Sequence, residues 1–468
     1  MSVPAPRRIY ANRTLNLRSI RAIGFDMDYT LAHYHVERWE RRAYEYTKQA
    51  LAARGWSVDG LEFDPSKVIR GLTIDLDLGN LVKPTRFGYV IRANHGTRFL
   101  EFDELRRTYA GTVIDLTEER YVFVNTLFSL SEALLFAQLV DRLDAGGLPV
   151  AISYRDLYRA VREALDDAHM EGALKSDIVS DPEAFVVDDP ELAPTLVDLR
   201  DAGKRLLLIT NSEWEYTRRM MPIVLDGGLP DGMAWRDLFD VVIVSAAKPG
   251  FFGGTRPLYR VVDEERGLLE PHREGLEKGA IYYGGCASRL EEELGYGADE
   301  ILYVGDHLFA DVHVSKDRLR WRTALILREL EEEVAAIEGF AADERVLVAL
   351  MEEKEGLETL LAAARLDRMR QRRGHAAPLT PGDHEARIAD LRVRLAELDE
   401  RISPLAQAAG RLGNEAWGLL MRSGYDKSLF ARQVERYADV YTSRVSNFLA
   451  ATPYAFLRAA RSSLPHDE

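Results

Sequence analysis

Four short apolar runs, each followed at once by polar side chains, constrain the fold of this chain more than any other feature. The runs cover residues 20–25, 205–209, 241–244 and 301–304. Continuous apolar runs of this length are typical of strands in a parallel sheet that is buried on both faces. Helical stretches such as residues 36–54 separate them, and strands separated by helices imply right-handed crossovers. The pattern predicts an α/β fold with a doubly wound, mainly parallel sheet.

The spacing of the runs also predicts the domain organisation. About 180 residues separate the first run from the second, and a crossover needs only a few tens. We therefore expect a core of residues 1–60 and 196–330, with a large α+β cap inserted at 61–195. Turn residues within 70–100 predict β-hairpins, and 125–180 are expected to be helical.

The region after residue 330 is rich in Glu, Ala, Leu and Arg. It predicts a helical C-terminal region, 331–468, that packs on the core or at a subunit interface, with a loop at 374–383. An apolar seam repeats at alternating spacings of three and four residues, which predicts helix pairing within the fold or between subunits. Its members are Ile388, Leu391, Leu395, Leu398 and Ile402.

The composition restricts the class of protein. The chain has 61 Lys and Arg against 76 Asp and Glu, a net charge of −15, which disfavours nucleic-acid binding. A hydrophobic content of 46% argues against disorder.

The single cysteine, Cys286, indicates a reducing compartment and an inert thiol. No apolar run reaches the ~18 residues of a membrane helix, and the N-terminus lacks the apolar region of a signal peptide. We expect a cytoplasmic protein without a membrane or nucleic-acid partner.

Two acids two residues apart, Asp26 and Asp28, follow the first strand. One carboxylate can act as a nucleophile, and the second can protonate a leaving group and then activate water. The spacing alone is weak evidence, because Asp75 and Asp77 repeat it in the hairpin region. There, a turn or surface acid is the expected explanation.

One predicted helix carries a polar stripe beside an apolar one. Leu157, Val161 and Leu165 recur every four residues and should pack inward. The polar residues Arg162, Asp166 and His169 follow at spacings of four and three, on one side of the same helix. From spacing alone, a solvated Arg–Asp pair with a surface histidine remains an alternative to a binding site.

Taken together, the polar residues at the strand ends resemble the four motifs of the haloacid-dehalogenase-like (HAD) phosphatases. The first motif matches 25–31, Phe-Asp-Met-Asp-Tyr-Thr-Leu, and the second matches Thr210 with Asn211 and Ser212 after it. Lys248 matches the motif lysine, and 305–311, Gly-Asp-His-Leu-Phe-Ala-Asp, matches the acidic motif. All four occur in the family's order and at the edge of the sheet where α/β proteins bind ligands.

This resemblance implies phosphoryl transfer through an aspartyl-phosphate on Asp26, with Asp28 as acid and base. Mg²⁺ would be held by Asp26, the Asp28 carbonyl and Asp306, and Asp311 would complete or orient that shell. Lys248 would supply a second positive charge, and Thr210, Asn211 and Ser212 would take the phosphoryl oxygens. His33 and His35 could suggest a different metal pair, but carboxylates suit Mg²⁺ better than imidazole does.

A closer resemblance is to the cytosolic purine 5′-nucleotidases. It is carried by FDMDYTLAHYH, by VNTLFSLSEALLFAQLVD at 124–141, by GDHLFADV, by 422–445 and by the closing LPHDE. It also includes the pattern Arg162, Asp166, His169 and Lys175. The resemblance implies Mg²⁺-dependent hydrolysis of inosine and guanosine monophosphates (IMP and GMP), with some transfer of phosphate to nucleosides.

The same resemblance implies roles for the insertion. Phe128 and His169 would sandwich the purine, Arg162 and Asp166 would read its edge, and Lys175 would lie toward the phosphate or ribose. Asn125 and Phe309 match positions that contact nucleotide effectors. Met170 stands where the family can have an aromatic residue, and the long acidic tail of some members is absent. Both departures concern effector regulation rather than catalysis.

Two alternatives remain open from the sequence. One is a HAD-type phosphatase that acts on another phosphomonoester. The other is a non-catalytic nucleotide-sensing scaffold whose C-terminal helices form its interaction surface. The apolar seam and the resemblance both favour a homo-oligomer, either a dimer or a tetramer.

Overall fold

The computed structural model describes residues 3–149, 151–170, 172–375 and 380–461, without the side chains of 168–170 and 381. The chain divides into two compact units. Met1–Glu331 and Leu420–Glu468 form the larger unit, and Glu332–Leu419 form the smaller one. Within the described residues, none of the helices combines the length and apolar character needed to cross a membrane.

The strands are short, and most belong to the larger unit's two main sheets. In chain order they are β1 (Tyr10–Ala11), β2 (Leu15–Asn16), β3 (Ala22–Phe25), β4 (His33–Tyr34), β5 (Thr73–Asp75), β6 (Asn80–Pro84), β7 (Val90–His95), β8 (Arg98–Phe99), β9 (Tyr121–Phe123), β10 (Val186–Val187), β11 (Arg205–Ile209), β12 (Val241–Val244), β13 (Leu258–Asp263), β14 (Leu268–His272), β15 (Ile281–Gly284), β16 (Ile301–Gly305), β17 (Arg322–Ile326), β18 (Arg422–Ser423), β19 (Asp426–Lys427), β20 (Val440–Thr442) and β21 (Phe456–Leu457).

The helices alternate with these strands. They are α1 (Val36–Ala53), α2 (Phe102–Tyr109), α3 (Leu130–Asp144), α4 (Tyr154–Met170), α5 (Ala173–Ser180), α6 (Pro182–Phe185), α7 (Leu192–Asp201), α8 (Trp214–Leu225), α9 (Trp235–Leu238), α10 (Gly250–Gly253), α11 (Ala287–Leu294), α12 (Leu330–Arg372), α13 (Pro381–Gly410), α14 (Leu429–Tyr437) and α15 (Asn447–Ala451).

The larger sheet has the order β1-β20-β17-β16-β3-β11-β12-β15-β13-β14. Neighbours from β20 to β15 are parallel, while β1, β13 and β14 join antiparallel at the edges. The four predicted strands are therefore confirmed as β3, β11, β12 and β16, and so is the mainly parallel α/β fold. Their continuous apolar character follows from burial on both faces, since every residue of β3, β12 and β16 is buried.

The insertion between β3 and β11 contains a five-stranded antiparallel sheet, β8-β7-β6-β5-β9, and the helices α1 to α7. The hairpins predicted at 70–100 and the helices predicted at 36–54 and 125–180 are therefore present. Asp75 differs from the expected turn or surface acid. It is buried at the end of β5 and accepts hydrogen bonds from Arg120 (2.7 and 2.8 Å) and the Tyr109 hydroxyl (2.9 Å).

The smaller unit is mainly a pair of long helices, α12 and α13. The seam Ile388, Leu391, Leu398 and Ile402 forms one cluster with Leu347, Leu350, Leu357 and Leu361 of α12, and Leu395 packs against it. Of the two pairings left open by the sequence, the structure shows this seam used within the fold. Of the predicted loop, 374–383, residues 376–379 lie outside the described residues; 374 and 375 follow the end of α12, and α13 already begins at Pro381.

The C-terminal region differs from the single helical region expected at 331–468. Residues 420–461 cluster with the larger unit and add the strand β20, which lies between β1 and β17. The three residues of β20, Val-Tyr-Thr, have high strand propensity, but a run this short carries no periodicity that could be read from the sequence. The closing LPHDE lies outside the described residues.

Candidate functional site

The four motif regions meet at the carboxyl edge of the larger sheet. Phe25 of β3 is in register with Leu208 of β11 and with Val304 of β16, so these three strands end side by side. Ile209 pairs with Ile243 of β12 next to them. Because parallel strands present their carboxyl ends to one edge, Asp26, Thr210, Lys248 and Asp306 come together there.

Lys248 lies between two carboxylates at the centre of this edge. Its Nζ is 2.8 Å from Oδ1 of Asp26 and 2.7 Å from Oδ1 of Asp311. It also donates to the Tyr303 hydroxyl at 3.0 Å, which in turn donates to the Ile209 carbonyl at 3.0 Å. Burial opposes the charged amine, yet Asp26 and Asp311 raise the pKa of Lys248 well above its ordinary value. The lysine is therefore a fixed positive charge.

Three carboxylates at this edge form a cluster that suits a cation. Ligand oxygens of Asp26, Asp306 and Asp311 all lie within 4.8 Å of one another. Burial raises the pKa of Asp26 to about 7, against the influence of Lys248 and with that of Asp311 and Asp28. Burial, followed by Asp311 and Asp26, raises the pKa of Asp306 well above its ordinary value. A buried all-oxygen set with mutual repulsion fits a hard divalent ion such as Mg²⁺.

Gly305, the first residue of the acidic motif, leaves the space that the Asp311 carboxylate occupies. A Cβ atom at this position would lie 2.5 Å from both Cγ and Oδ2 of Asp311. Asp311 belongs to the π-helical turn Leu308–His313, which begins three residues after the end of β16. Its Oδ2 then accepts from the His307 amide at 3.1 Å. Only glycine leaves room for this carboxylate at the end of β16.

The second acid, Asp28, is held apart from the three-carboxylate cluster. Its Oδ1 accepts from the Tyr34 hydroxyl at 2.5 Å, and its Oδ2 accepts from the Ser212 hydroxyl at 2.6 Å. Tyr34 also lies 3.0 Å from the Tyr216 hydroxyl. The two acids of the motif thus have different surroundings, which two different chemical roles require.

The loops after β11 and β12 are joined through Asn211. The Lys248 amide donates to Asn211 Oδ1 at 2.6 Å, and Asn211 Nδ2 donates to the Lys248 carbonyl at 3.1 Å. Thr210 Oγ1 accepts from the Ser212 amide at 3.0 Å. In these contacts Asn211 positions the backbone of Lys248, which is a different task from the substrate binding predicted for it.

The predicted base-binding residues fall on three elements of the insertion. Phe128 packs edge-on against Tyr29 and Trp39, with ring centroids 4.7 and 5.2 Å apart. Because Tyr29 follows Asp28, this aromatic group lies next to the acid pair. Lys175 donates to Ser212 Oγ at 3.2 Å and lies 4.9 Å from the Tyr216 ring. His169 belongs to α4, but its side chain lies outside the described residues.

Arg162 contacts a buried acid in addition to the exposed acid expected from the helix spacing. It contacts Asp166 at 3.3 Å as expected from helix spacing, and both side chains are largely exposed. It also contacts Oε2 of Glu132 at 3.1 Å, and the Glu132 side chain is only 2% exposed. Burial raises the pKa of Glu132, although Arg162 opposes this shift. The guanidinium is therefore anchored at the start of α3.

Sequence reasoning missed Tyr34, Tyr216, Tyr303 and Glu132. Their partners lie between 6 and 182 residues away along the chain. Tyr34 and Glu132 fall within the stretches that resemble the purine 5′-nucleotidases, but no role was predicted for them. Only Glu132 carried a usable signal. It is an acid within an otherwise apolar helical stretch, which is costly unless the acid is paired.

The two residues that match effector-contacting positions of the purine 5′-nucleotidases, Asn125 and Phe309, line one cavity. Asn125 and Phe309 both border a space of about 640 Å³. His313 and Tyr437 border it too, and their rings stack at 3.8 Å. The structure thus brings Asn125 and Phe309 together, in a cavity with several aromatic side chains.

Comparison with known proteins identifies the family. The family model described as "5' nucleotidase family" matches residues 9–468. The human 5'-nucleotidase domain-containing protein 2 is 30% identical over 458 residues, covering 95% of this chain and 82% of its own length. The rat protein of that name is 29% identical, covering 99% and 80%. A Dictyostelium discoideum 5'-nucleotidase domain-containing protein is 27% identical, covering 99% and 75%.

Among solved structures, the chain is similar to a β-phosphoglucomutase from Pyrococcus sp. Strain ST 04, with a TM-score of 0.31 and 11% identity over 66% of this chain and 86% of that one. A similarity that weak adds no evidence on fold or function. The family match covers nearly the whole chain, including every motif at the sheet edge. The chain therefore belongs to the 5′ nucleotidase family.

Proposed function

We propose that this protein is a Mg²⁺-dependent 5′-nucleotidase that hydrolyses purine nucleoside monophosphates of the IMP and GMP class. The observation that carries the proposal is the position of Lys248 between Asp26 and Asp311, beside Asp306. It supplies a buried nucleophile, a fixed cation and an oxygen ligand set at one sheet edge. Phosphoryl transfer depends mainly on such positioning and charge.

In the proposed reaction, a carboxylate oxygen of Asp26 attacks phosphorus and the bond to the nucleoside 5′-oxygen breaks. Asp28 gives its proton to that oxygen. Asp28 then takes a proton from water, which attacks the aspartyl-phosphate and releases phosphate while Asp26 is restored. Tyr34 and Ser212 hold Asp28 in place for both steps. A nucleoside that replaces water would give phosphotransferase activity.

Asp26, Asp306, Asp311 and the Asp28 carbonyl would hold Mg²⁺, which when bound offsets the negative charge of the phosphate. Lys248 keeps its own charge near the phosphoryl group, because its pKa is raised. Thr210 is proposed to donate its hydroxyl to a phosphoryl oxygen, and Asn211 to fix the loop that carries Lys248. The Ser212 hydroxyl, predicted from the sequence to bind the phosphoryl group, is instead donated to Asp28.

The base would be bound by the insertion, proposed as residues 61–195 on a core of 1–60 and 196–330. Phe128 and His169 would enclose the purine, and Arg162 and Asp166 would read its edge. The buried Glu132 supports this part of the proposal, because it holds the Arg162 guanidinium in one place. Lys175 lies near enough to Ser212 to reach the phosphate side.

The cavity bordered by Asn125 and Phe309 is proposed as a nucleotide effector site. Aromatic rings such as His313 and Tyr437 offer faces on which a base can stack. A homo-oligomer also remains part of the proposal. Both can be tested apart from catalysis, by assaying activity with and without adenine nucleotide and by measuring the mass in solution.

The substrate test is a panel of monophosphates assayed with Mg²⁺. IMP and GMP should turn over faster than pyrimidine nucleotides or sugar phosphates. Equal or faster turnover of the others would favour a HAD-type phosphatase with a different substrate. Absence of phosphate release from every compound would favour the nucleotide-sensing scaffold.

The nucleophile is tested by Asp26→Asn, which should lower kcat by at least about a thousandfold. The matched control is Asp77→Asn in the chain's other Asp-x-Asp pair, where the exposed carboxylate pairs with Arg155 and Arg120. The control should keep the wild-type rate. Comparable rates in wild type and Asp26→Asn would exclude Asp26 as the nucleophile.

Base recognition is tested by Arg162→Ala with two substrates. Loss of a charged hydrogen bond costs about 1.5–3 kcal/mol, so kcat/KM for IMP should fall by roughly ten- to a hundredfold. Hydrolysis of p-nitrophenyl phosphate, which has no purine, should change little. Arg159→Ala is the control on the same helix, since within the described part of the chain Arg159 pairs with Asp156 on the surface and with no other acid. Equal losses on both substrates would contradict a base-reading role.

A further inference from the structure

The smaller unit leaves an apolar row uncovered on α12. Ala342, Val346, Ala349, Glu353, Gly356 and Leu360 follow one another at spacings of four and three residues. We call these six residues the outer row. All of them are exposed, and the large members Val346 and Leu360 are 50% and 46% exposed. Five of the six are apolar or small, which is unusual for a helix face in water.

The outer row is distinct from the seam that pairs α12 with α13. The inner residues Leu347, Leu350, Leu357 and Leu361 are buried in that seam. Four outer-row residues, Val346, Ala349, Gly356 and Leu360, each precede one of these inner residues by one position, which places the row about 100° around the helix. A groove of about 410 Å³ runs along the first part of the outer row, bordered by Ala342, Val346, Ala349 and Glu353 of α12 and by Arg401 of α13.

We propose that a second copy of this chain covers the outer row, with the two α12 helices antiparallel. Spacings of three and four residues are the repeat that lets side chains of one helix fit between those of another. Small residues at Ala342, Ala349 and Gly356 allow the helices to approach closely. The two hairpins would then form a four-helix arrangement.

The charges of α12 favour a second copy and select the antiparallel direction. Residues 332–358 contain nine Asp and Glu against two Lys and Arg, while 359–373 contain five Arg against one Asp. An antiparallel copy places the basic end of each helix beside the acidic part of the other. A parallel copy would place like charges together. A symmetric dimer makes this contact twice.

The outer rows of two copies are also complementary in shape when the two α12 helices cross near Glu353. Val346 and Leu360 each lie seven residues from this point, so Val346 of one copy faces Leu360 of the other. Ala349 and Gly356, at distances of four and three residues, come within one residue of facing each other. Arg345 and Arg401 border the same groove and offset the two Glu353 carboxylates at the axis.

The first test is the mass of the full-length protein by light scattering and sedimentation. The wild type should form a dimer of twice 52.9 kDa or a higher even assembly. Val346→Glu with Leu360→Glu should halve that mass while the helix content and phosphatase activity stay unchanged. A monomeric wild type, or a double variant with the wild-type mass, would overturn the proposal.

The control for a general effect of surface charge is Val348→Glu. Val348 is on the same helix and is 46% exposed, but it lies about 200° from Val346. This variant should keep the wild-type mass. If it dissociates as fully as the double variant, the outer row is not the interface.

The direction is tested by cysteine cross-linking in a Cys286→Ala background, which removes the only native thiol. Val346→Cys and Leu360→Cys proteins are mixed, exchanged and oxidised. Peptide mass spectrometry should find 346–360 links between copies. Exclusive 346–346 and 360–360 links would indicate a parallel pair and overturn the antiparallel arrangement. Asp26→Asn should dimerise normally, so this inference stands apart from the proposed activity.

Discussion

At the scale of single residues, Lys248 balances the negative charge of the carboxylates in the site. Two aspartates approach its amine within 2.8 Å, and all three side chains are nearly inaccessible to water. Buried ionic groups of this kind contribute little net stability, but removal of one partner leaves the others uncompensated. We therefore attribute the arrangement to the proposed phosphoryl transfer, in which Lys248 would meet the phosphate, rather than to folding stability.

The closest packing in the site gives a prediction for Gly305. In Gly305→Ala the new methyl group would meet the Asp311 carboxylate at 2.5 Å, so that carboxylate must move. We expect kcat to fall by at least about tenfold, and the free energy of unfolding to fall by about 1–3 kcal/mol as for other overpacked sites. Steady-state kinetics and urea unfolding measure the two effects.

Gly111→Ala provides the control for Gly305→Ala. No atom lies within 4 Å of a Cβ built at Gly111, so this variant should match the wild type in both assays. A wild-type kcat in Gly305→Ala would show that Asp311 does not depend on the free space at Gly305.

At the scale of elements, α1 and the start of α3 are joined by a buried acid. Oε2 of Glu40 accepts from the Ser131 amide at 2.7 Å, one of the free donors in the first turn of α3. Glu132, in the same turn, holds Arg162 of α4. The helices that carry the proposed base site are thus tied together by polar contacts as well as by apolar packing.

Glu40 should make stability depend on pH. Burial raises its pKa to about 8 from an ordinary value of 4.5. The unfolded chain therefore loses this proton at lower pH than the folded one, so stability is complete below pH 4.5 and is lost as the pH rises toward 8. The contribution should fall by about 1.4 kcal/mol per pH unit at most.

Glu40→Gln should flatten this part of the dependence, because glutamine does not titrate. Urea unfolding across that pH range, compared between wild type and variant, measures the difference. Glu45→Gln on the same helix, where the acid pairs with Lys48 near the surface, should leave the dependence as it is. Identical slopes for wild type and Glu40→Gln would show that Glu40 does not titrate in this way.

At the scale of the whole molecule, distant parts of the chain meet in the larger unit at Asp439. This buried carboxylate contacts Lys316 at 2.8 Å and Arg322 at 2.9 Å, and it accepts from the Thr323 amide at 3.0 Å. Arg13 lies 3.6 Å away. One side chain next to β20 therefore connects the N-terminal, central and C-terminal parts of the larger sheet.

Asp439→Asn should destabilise the protein by about 3–5 kcal/mol, the usual result of breaking a buried ion pair from one side. Chemical unfolding and limited proteolysis would detect the loss. Asp426→Asn is the control in the same C-terminal segment, since its carboxylate is partly exposed and pairs with Arg86. A cost below about 1 kcal/mol for Asp439→Asn would show that the cations find other partners.

The sequence by itself determined the α/β class, the four strands, and the set of residues at their ends. It could do so because buried parallel strands are continuously apolar and because their ends meet at one edge whatever follows. Asp26, Thr210, Lys248 and Asp306 were therefore placed together from their positions along the chain. The roles assigned to them remain part of the proposed function.

Only the tertiary structure decided which other side chains complete the site and how the C-terminal region is used. Tyr34, Tyr216, Tyr303 and Glu132 reach it through contacts between elements, and such contacts leave no periodic pattern in the sequence. The same holds for β20, a three-residue strand that lies between β1 and β17 in the larger sheet. The seam on α13 predicted a helix partner, but packing decided that the partner is α12 of the same chain. Local sequence specifies the helices and strands, whereas contacts between residues distant in the chain determine which of these elements pack together.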